Sequence, residues 1–306
     1  MTPFWLLVLL TVVTAATPLL LAATGEHVAE QAGVLNLGVE GMMIMGAACG
    51  FAVAILSGSS FAAVAAGVAA GLAMATVFAL FAVWLAANQV ASGLALTILG
   101  MGLANLIGAG FVGLKRETIP SLHIPGLSDL PILGRLVFGQ DPFVYASIAL
   151  ACGVGWWLST ARGGLALRGV GENHASAHTL GHDVRRVRTM AILFGGACAG
   201  LSGAYLSLVY TPFWSSDMTA GRGWIALAIV VFAGGRMWRL ALGAYLFGGM
   251  GVLQLHAQAG GIGLPSQVLS AVPYLATILA LVLLALRKSG ATGAPGSLGQ
   301  PFVPDR

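Results

Sequence analysis

Arg162-Gly163-Gly164-Leu165-Ala166-Leu167-Arg168-Gly169-Val170-Gly171-Glu172-Asn173 begins the one stretch of this chain where charge gathers, and the stretch runs on through Asp183 to Arg185, Arg186 and Arg188. Five of the 14 Lys and Arg residues lie in it, between two long apolar runs. Short loops rich in Lys and Arg stay on the cytoplasmic side of a membrane. Residues 162–188 are therefore expected in the cytoplasm, and they fix the direction of the spans on either side.

Composition points the same way. Of 306 residues, 58% are hydrophobic and 8% charged, with a mean hydropathy of +0.92, whereas a soluble domain carries about one quarter charged residues. An all-α, polytopic membrane protein is expected, because a helix satisfies its own backbone in hydrocarbon. The formal net charge of +4 and pI near 9.3 do not imply nucleic acid, since the bases stand at span ends rather than in one patch. They suit anionic membrane lipid. Cys49, Cys152 and Cys198 lie singly in apolar runs, without the spacing of a metal or redox pair.

Outward on the N-terminal side, Pro3 to Ala23 read as a first span closed by Thr24-Gly25-Glu26, followed by a short polar segment to Gln31. A cleaved signal peptide would carry a basic n-region. No Lys or Arg precedes Lys115, so the span is expected to be retained. Ala32 to Leu56 hold Gly33, Asn36, Gly38, Glu40 and Gly41, which are costly in hydrocarbon unless they face a cavity or another helix. A broken or re-entrant helix lining a pathway is expected here, with Glu40 hydrogen-bonding a neighbouring helix as the alternative. Spans follow at Phe61–Trp84 and, after Asn88-Gln89, at Val90–Val112, which contains Asn105. Residues 113–141 are proline-rich and nearly neutral, as suits an external loop.

On the C-terminal side, Pro142–Ala161 lead into the charged stretch and Thr189–Tyr210 lead out of it. Gly223 to Ala233 are apolar but too short to cross alone, since a span needs about 20 residues. Either the helix begins near Ser215 or it is a half-helix. Leu240–His256 and Ser266–Leu286 complete eight or nine crossings in a transmembrane domain of residues 1–288. With nine, the N-terminus lies outside. The Gly/Pro/Ser-rich tail, residues 289–306, is expected to be a disordered cytoplasmic segment.

Two enzyme-like patterns need weighing. Gly200-Leu201-Ser202-Gly203 with His256 in a later span would suit an intramembrane serine protease, but a small-residue helix face explains the same letters. His174, His178 and His182 stand at i, i+4 and i+8, one face of a helix. Without a carboxylate or Cys at matching spacing they suit a protein-binding face better than a metal site. No GxxxxGK[ST] loop occurs, so any nucleotide hydrolysis belongs to a partner.

Three motifs carry a resemblance. Gly33-Val34-Leu35-Asn36-Leu37-Gly38-Val39-Glu40-Gly41-Met42, Leu167-Arg168-Gly169-Val170-Gly171-Glu172-Asn173 and Ala220-Gly221-Arg222-Gly223-Trp224-Ile225-Ala226-Leu227-Ala228 resemble the permease subunits of bacterial ABC importers. The nearest branch is that of the branched-chain amino acid and ribose permeases, in its nucleoside/simple-sugar subgroup, and the likeness runs from about Gly25 to Leu286. It implies a coupling helix at Arg168, Gly171, Glu172 and Asn173 that docks into an ATPase subunit. The chain departs from the pattern at Gly169, commonly Ala, and at His174, often Pro. The resemblance also implies half of a translocation pathway for a nucleoside or simple sugar, with Asn36, Glu40, Asn88, Gln89 and Asn105 as candidate lining residues. No cofactor is implied for the chain itself, because ATP is bound by the partner subunits. The partners implied are ABC ATPases, a second and different permease, and a periplasmic or lipid-anchored substrate-binding protein, at the bacterial cytoplasmic (inner) membrane. Branched-chain amino acid import and ion-coupled secondary transport are the rival transport readings.

Overall fold

In the computed structural model the described residues are 4–122, 128, 134–259 and 293–303, with isolated positions between 268 and 282. They build ten α-helices: α1 Phe4–Gln31, α2 Val39–Ser57, α3 Ser60–Ala79, α4 Gln89–Gly108, α5 Pro142–Thr160, α6 Arg162–Glu172, α7 His174–Thr179, α8 Val184–Tyr205, α9 Arg222–Ala233 and α10 Met237–Ala259. Both α3 and α8 run on into a π turn, Leu80–Trp84 and Leu206–Tyr210. Seven of the helices, α1 to α5, α8 and α10, are long and apolar enough to cross a membrane. The return span expected at Ser266–Leu286 lies outside the described residues, apart from isolated helical positions.

The centre is a crossing of α2, α3 and α8 through small residues. A Cβ added to Gly46 would lie 2.6 Å from the Gly200 Cα, and one on Gly200 would lie 3.0 Å from the Gly71 Cα. Between helices in lipid, where no hydrophobic driving force acts, this close approach supplies the packing energy. Around it Met42, Met43, Phe51, Met74 and Phe78 fill a core.

The two ends of α3 separate the two faces. At one end Arg116 donates to the Ser60 hydroxyl at 2.8 Å, and isolated bridges join Val112 to Trp214 and Lys115 to Phe213. At the other, Trp84 donates to Thr189 and lies under Arg185. The charged stretch thus sits at the opposite end of α3 from residues 112–116.

Three expectations change. First, α1 does not end at Ala23 but runs to Gln31, because Glu26, His27, Glu30 and Gln31 are buried rather than hydrated. Second, residues 162–188 are chiefly helix, with α8 already begun at Val184 under the Asp183 N-cap. Third, Gly293–Val303 of the tail are not loose. Pro295, Ser297 and Phe302 are buried against α6, α7 and α8, because carbonyls at the ends of α1 and α6 need donors that the tail supplies.

The short apolar segment resolves as a half-helix. Positive φ at Gly221 (77°) and Gly234 (54°) bounds α9 on both sides. Twelve residues reach about 18 Å, well short of the ~30 Å hydrocarbon core.

Candidate functional site

The half-helix needs an anchor, and Glu40 provides it. Its Oε1 accepts the Gly221 N–H at 2.9 Å and its Oε2 the Gly223 N–H at 2.6 Å, so both carboxylate oxygens cap the N-terminus of α9. The partial positive charge of a helix N-terminus favours a carboxylate there. Ala220 (φ 46°) and Gly221 turn the chain so that these N–H groups converge. Any side chain at Gly223 would come 2.6 Å from the Glu40 Cα. Glu40 therefore hydrogen-bonds a neighbouring helix, the alternative reading of this residue.

Below it, Gly33 (φ 81°) reverses the chain after α1, and residues 33–38 climb back beside α1 to reach α2. One face of α4 carries this ascent. The Gln89 Oε1 accepts the Leu35 N–H at 2.8 Å, Gly93 leaves room for Leu37 and Gly38, and the Thr97 hydroxyl donates to the Leu37 carbonyl at 3.0 Å. From the other side the Glu26 Oε1 accepts the Asn36 N–H at 3.2 Å. The Asn36 Oδ1 in turn accepts the Gly38 N–H at 2.9 Å.

Of the candidate pathway residues, Asn36, Glu40 and Gln89 are thus brought together around the start of α2, each buried. Asn88 is exposed and caps α4, accepting the Ala91 N–H at 3.0 Å. Asn105 stands apart, half-buried more than four turns further along α4. Sequence reasoning missed Glu26 and Thr97, whose partners Asn36 and Leu37 lie 10 and 60 residues away along the chain. It also missed a cavity of about 270 Å³ beside the start of α9, where Tyr210, Arg222 and Gln254 supply the polar groups.

The coupling residues lie at an elbow. α6 turns Gly164, Leu167, Val170 and Gly171 inward, and Gly171 rests against the Gln31 carbonyl where no Cβ would fit. Glu172 and Asn173 are exposed, and the Asn173 Oδ1 caps α7 by accepting the Ser176 N–H at 3.0 Å. Arg168 is exposed and donates to the Leu158 carbonyl at 3.4 Å. With Glu172, Arg236 and the buried His27 it lines a cavity of about 690 Å³ between α5, α6 and the α9–α10 turn.

The histidine face is corrected. α7 ends at Thr179 and Gly181 has φ 89°, so His182 leaves the helix. His174 and His178 instead flank the Phe302 ring, each at 5.3 Å. Ser202 is buried and its hydroxyl donates to the Pro18 carbonyl of α1 at 2.7 Å, while His256 is exposed on α10. Among the described residues no group of three His, Cys, Asp or Glu side chains is placed to hold a metal.

Seven membrane-length helices, a carboxylate-anchored half-helix and an exposed elbow between α6 and α7 define a multi-pass membrane protein. The family described as branched-chain amino acid transport system / permease component matches residues 8–286, and the chain belongs to it. Its members are transport components of the cytoplasmic membrane rather than enzymes. TsgC13 of Haloferax volcanii, provisionally named a glucose ABC transporter permease, is 39% identical over 95% of each chain. The guanosine ABC transporter permease NupQ of Bacillus subtilis is 33% identical over 94% of this chain and 93% of its own. The nucleoside ABC transporter permease NupC of Lactococcus lactis is 29% identical, covering 88% and 89%. No solved structure matches significantly.

Proposed function

We propose that the chain forms half of the translocation pathway of an importer for a nucleoside or simple sugar, driven by ATP hydrolysis in partner subunits. The observation that carries this reading is the elbow at Glu172 and Asn173, exposed between α6 and α7 and packed through Gly171 on the end of α1. A push on the elbow from an ATPase subunit reaches α1, and from there the segment 33–38 that Glu26 and Gln89 hold. Alternating access then follows as rocking of these elements about the α2–α3–α8 crossing. The names of the relatives, for guanosine, nucleosides and glucose, support a polar, hydroxyl-rich cargo over a branched-chain amino acid.

Asn36 and Gln89 border the pathway where α1, α2 and α4 meet, and Asn88 and Asn105 lie along the same helix α4. Glu40 acts by holding α9 in place. A second, different permease would supply the other half of the pathway, and a separate substrate-binding protein would deliver the cargo.

The test is uptake of labelled guanosine, glucose and leucine into cells lacking the gene and cells with it restored, with and without the ATPase subunit. Restored, ATPase-dependent uptake of guanosine or glucose is expected, and the Glu172→Arg variant should insert normally but take up no more than the deletion strain. Uptake of leucine alone would overturn the substrate class. Normal uptake by Glu172→Arg would overturn the role of the elbow.

A further inference from the structure

α7 has few attachments of its own. It is six residues long, and its one buried side chain is Ala177. That methyl packs with Val170, Val184 and Phe302, so the ring that secures α7 comes from the end of the chain. A helix of this length is not stable by itself in water. Its position is set by what holds it.

The same tail segment reaches every element that must move with α7. The Ser297 N–H donates to the Gly171 carbonyl at 2.9 Å, the Ser297 hydroxyl accepts the His174 N–H at 3.2 Å, and the Gly299 N–H donates to the Gly33 carbonyl at 3.2 Å. Arg188 binds the whole assembly from α8. Its Nε donates to the Ala32 carbonyl at 3.1 Å, its Nη1 to the Gln300 carbonyl at 2.8 Å and its Nη2 to the Ser297 carbonyl at 3.4 Å. At the other end of the segment, Gly293 lies against Gly234 in the turn that closes the half-helix α9. Phe302, between His174 and His178, is 8% exposed.

We propose that Gly293–Val303 is a strap that transmits movement of the α6–α7 elbow to the α1–α2 segment and to the half-helix. The inference rests on the reading of the elbow as the ATPase-docking surface. The strap lies between α7 and the ends of α1 and α8, whereas Asn173, Ser176, Thr179 and Leu180 stay exposed as the outer side of the elbow. An ATPase subunit docked on the outer side would press α7 onto the strap. Without the strap, α7 would yield locally and its movement would be lost before it reached Gly33.

The experiment uses the whole transporter, with its ATPase, partner permease and binding protein, in liposomes, and measures ATP hydrolysis and substrate uptake together. Two variants are compared with the natural chain: one ending at Thr292, and Phe302→Ala, which keeps the chain length and removes a single ring outside the spans. Both are expected to assemble with the ATPase and to hydrolyse ATP. Substrate moved per ATP should fall roughly tenfold, a size within the range for changes that alter coupling between sites. Phe302→Tyr should restore it. An unchanged ratio in Phe302→Ala overturns the strap, as does faster uptake by the shortened chain, which would mark the tail as an inhibitor. Failure of the natural chain to bind an ATPase or to take up any cargo would instead overturn the reading of the elbow.

Discussion

Two side chains of opposite charge hold together parts of the chain that lie far apart in sequence. Glu40 accepts two N–H groups at the N-terminus of α9, and Arg188 donates to a carbonyl at the C-terminal end of α1 and to two more in the tail. Each charge sits at the helix end whose dipole favours it. Each is almost fully buried, at 4% and 1% exposure. What separates them is the surroundings. Glu40 is closed in by glycine contacts against α9, with no room for a replacement partner. Arg188 stands in the second turn of α8 against a tail segment whose Gly293, Ala294, Gly296 and Gln300 are exposed, so water can reach that segment once the guanidinium is lost. The same loss should therefore cost the fold in one place and only a segment in the other.

Breaking the first junction should have the largest effect. Glu40→Leu leaves the Gly221 and Gly223 N–H groups without acceptors at membrane depth, and a buried unpaired donor costs about 1–3 kcal/mol. Little stably folded protein is expected, read as yield and thermal unfolding in detergent. Glu40→Gln keeps the shape and one acceptor oxygen, so it should fall between the two. A Leu variant that melts like the natural chain would show that α9 is held by packing alone.

Breaking the second junction should be milder and local. Arg188→Gln shortens the side chain out of reach of Ser297 and Gln300. Hydrogen exchange at the Ser297 and Gly299 amides, both bonded in the docked tail, should accelerate strongly while amides in α2, α3 and α8 stay protected. Uniform loss of protection would mean that Arg188 supports the spans as well, and the contrast with Glu40 would collapse.

The same contrast explains what was legible in the sequence. Local chemistry was readable in part: the length of Gly223–Ala233 left a half-helix as one of two readings, and Gly33 and Asn36 fall in the non-helical segment before α2, which itself runs unbroken from Val39 to Ser57. Partners distant in sequence were not. Nothing near Glu40 says that its two donors are Gly221 and Gly223, so the pathway reading stood first and the hydrogen bond to a neighbouring helix was the alternative. The tail misled because Gly-rich and Pro-rich composition signals a chain that cannot bury its own apolar surface. Here it buries one ring, Phe302, in a groove made by α6, α7 and α8. The polar end of α1 misled for the same reason: Glu26 and His27 look hydrated until α5, α6, α8 and the returning segment 33–38 are seen around them.

Titration of His174 gives the smallest and finest test of the cytoplasmic junction. Its Nδ1 lies 3.3 Å from the Arg188 Nη2, so it accepts a hydrogen bond only while unprotonated. Partial burial, and then the Arg188 charge, push its pKa below the ordinary 6.5. A depressed histidine pKa means that the docked tail prefers the neutral ring. The stabilisation is complete above the ordinary pKa and is lost as the pH falls through the lowered one. Protection of the Ser297 and Gly299 amides, corrected for the intrinsic pH dependence of exchange, should therefore weaken modestly between about pH 7 and pH 5. In His174→Asn, whose Oδ1 can accept from Arg188 at every pH in that range, the profile should be flat. Equal slopes in the two proteins would show that another group loosens the tail and that the His174–Arg188 contact contributes nothing to its docking.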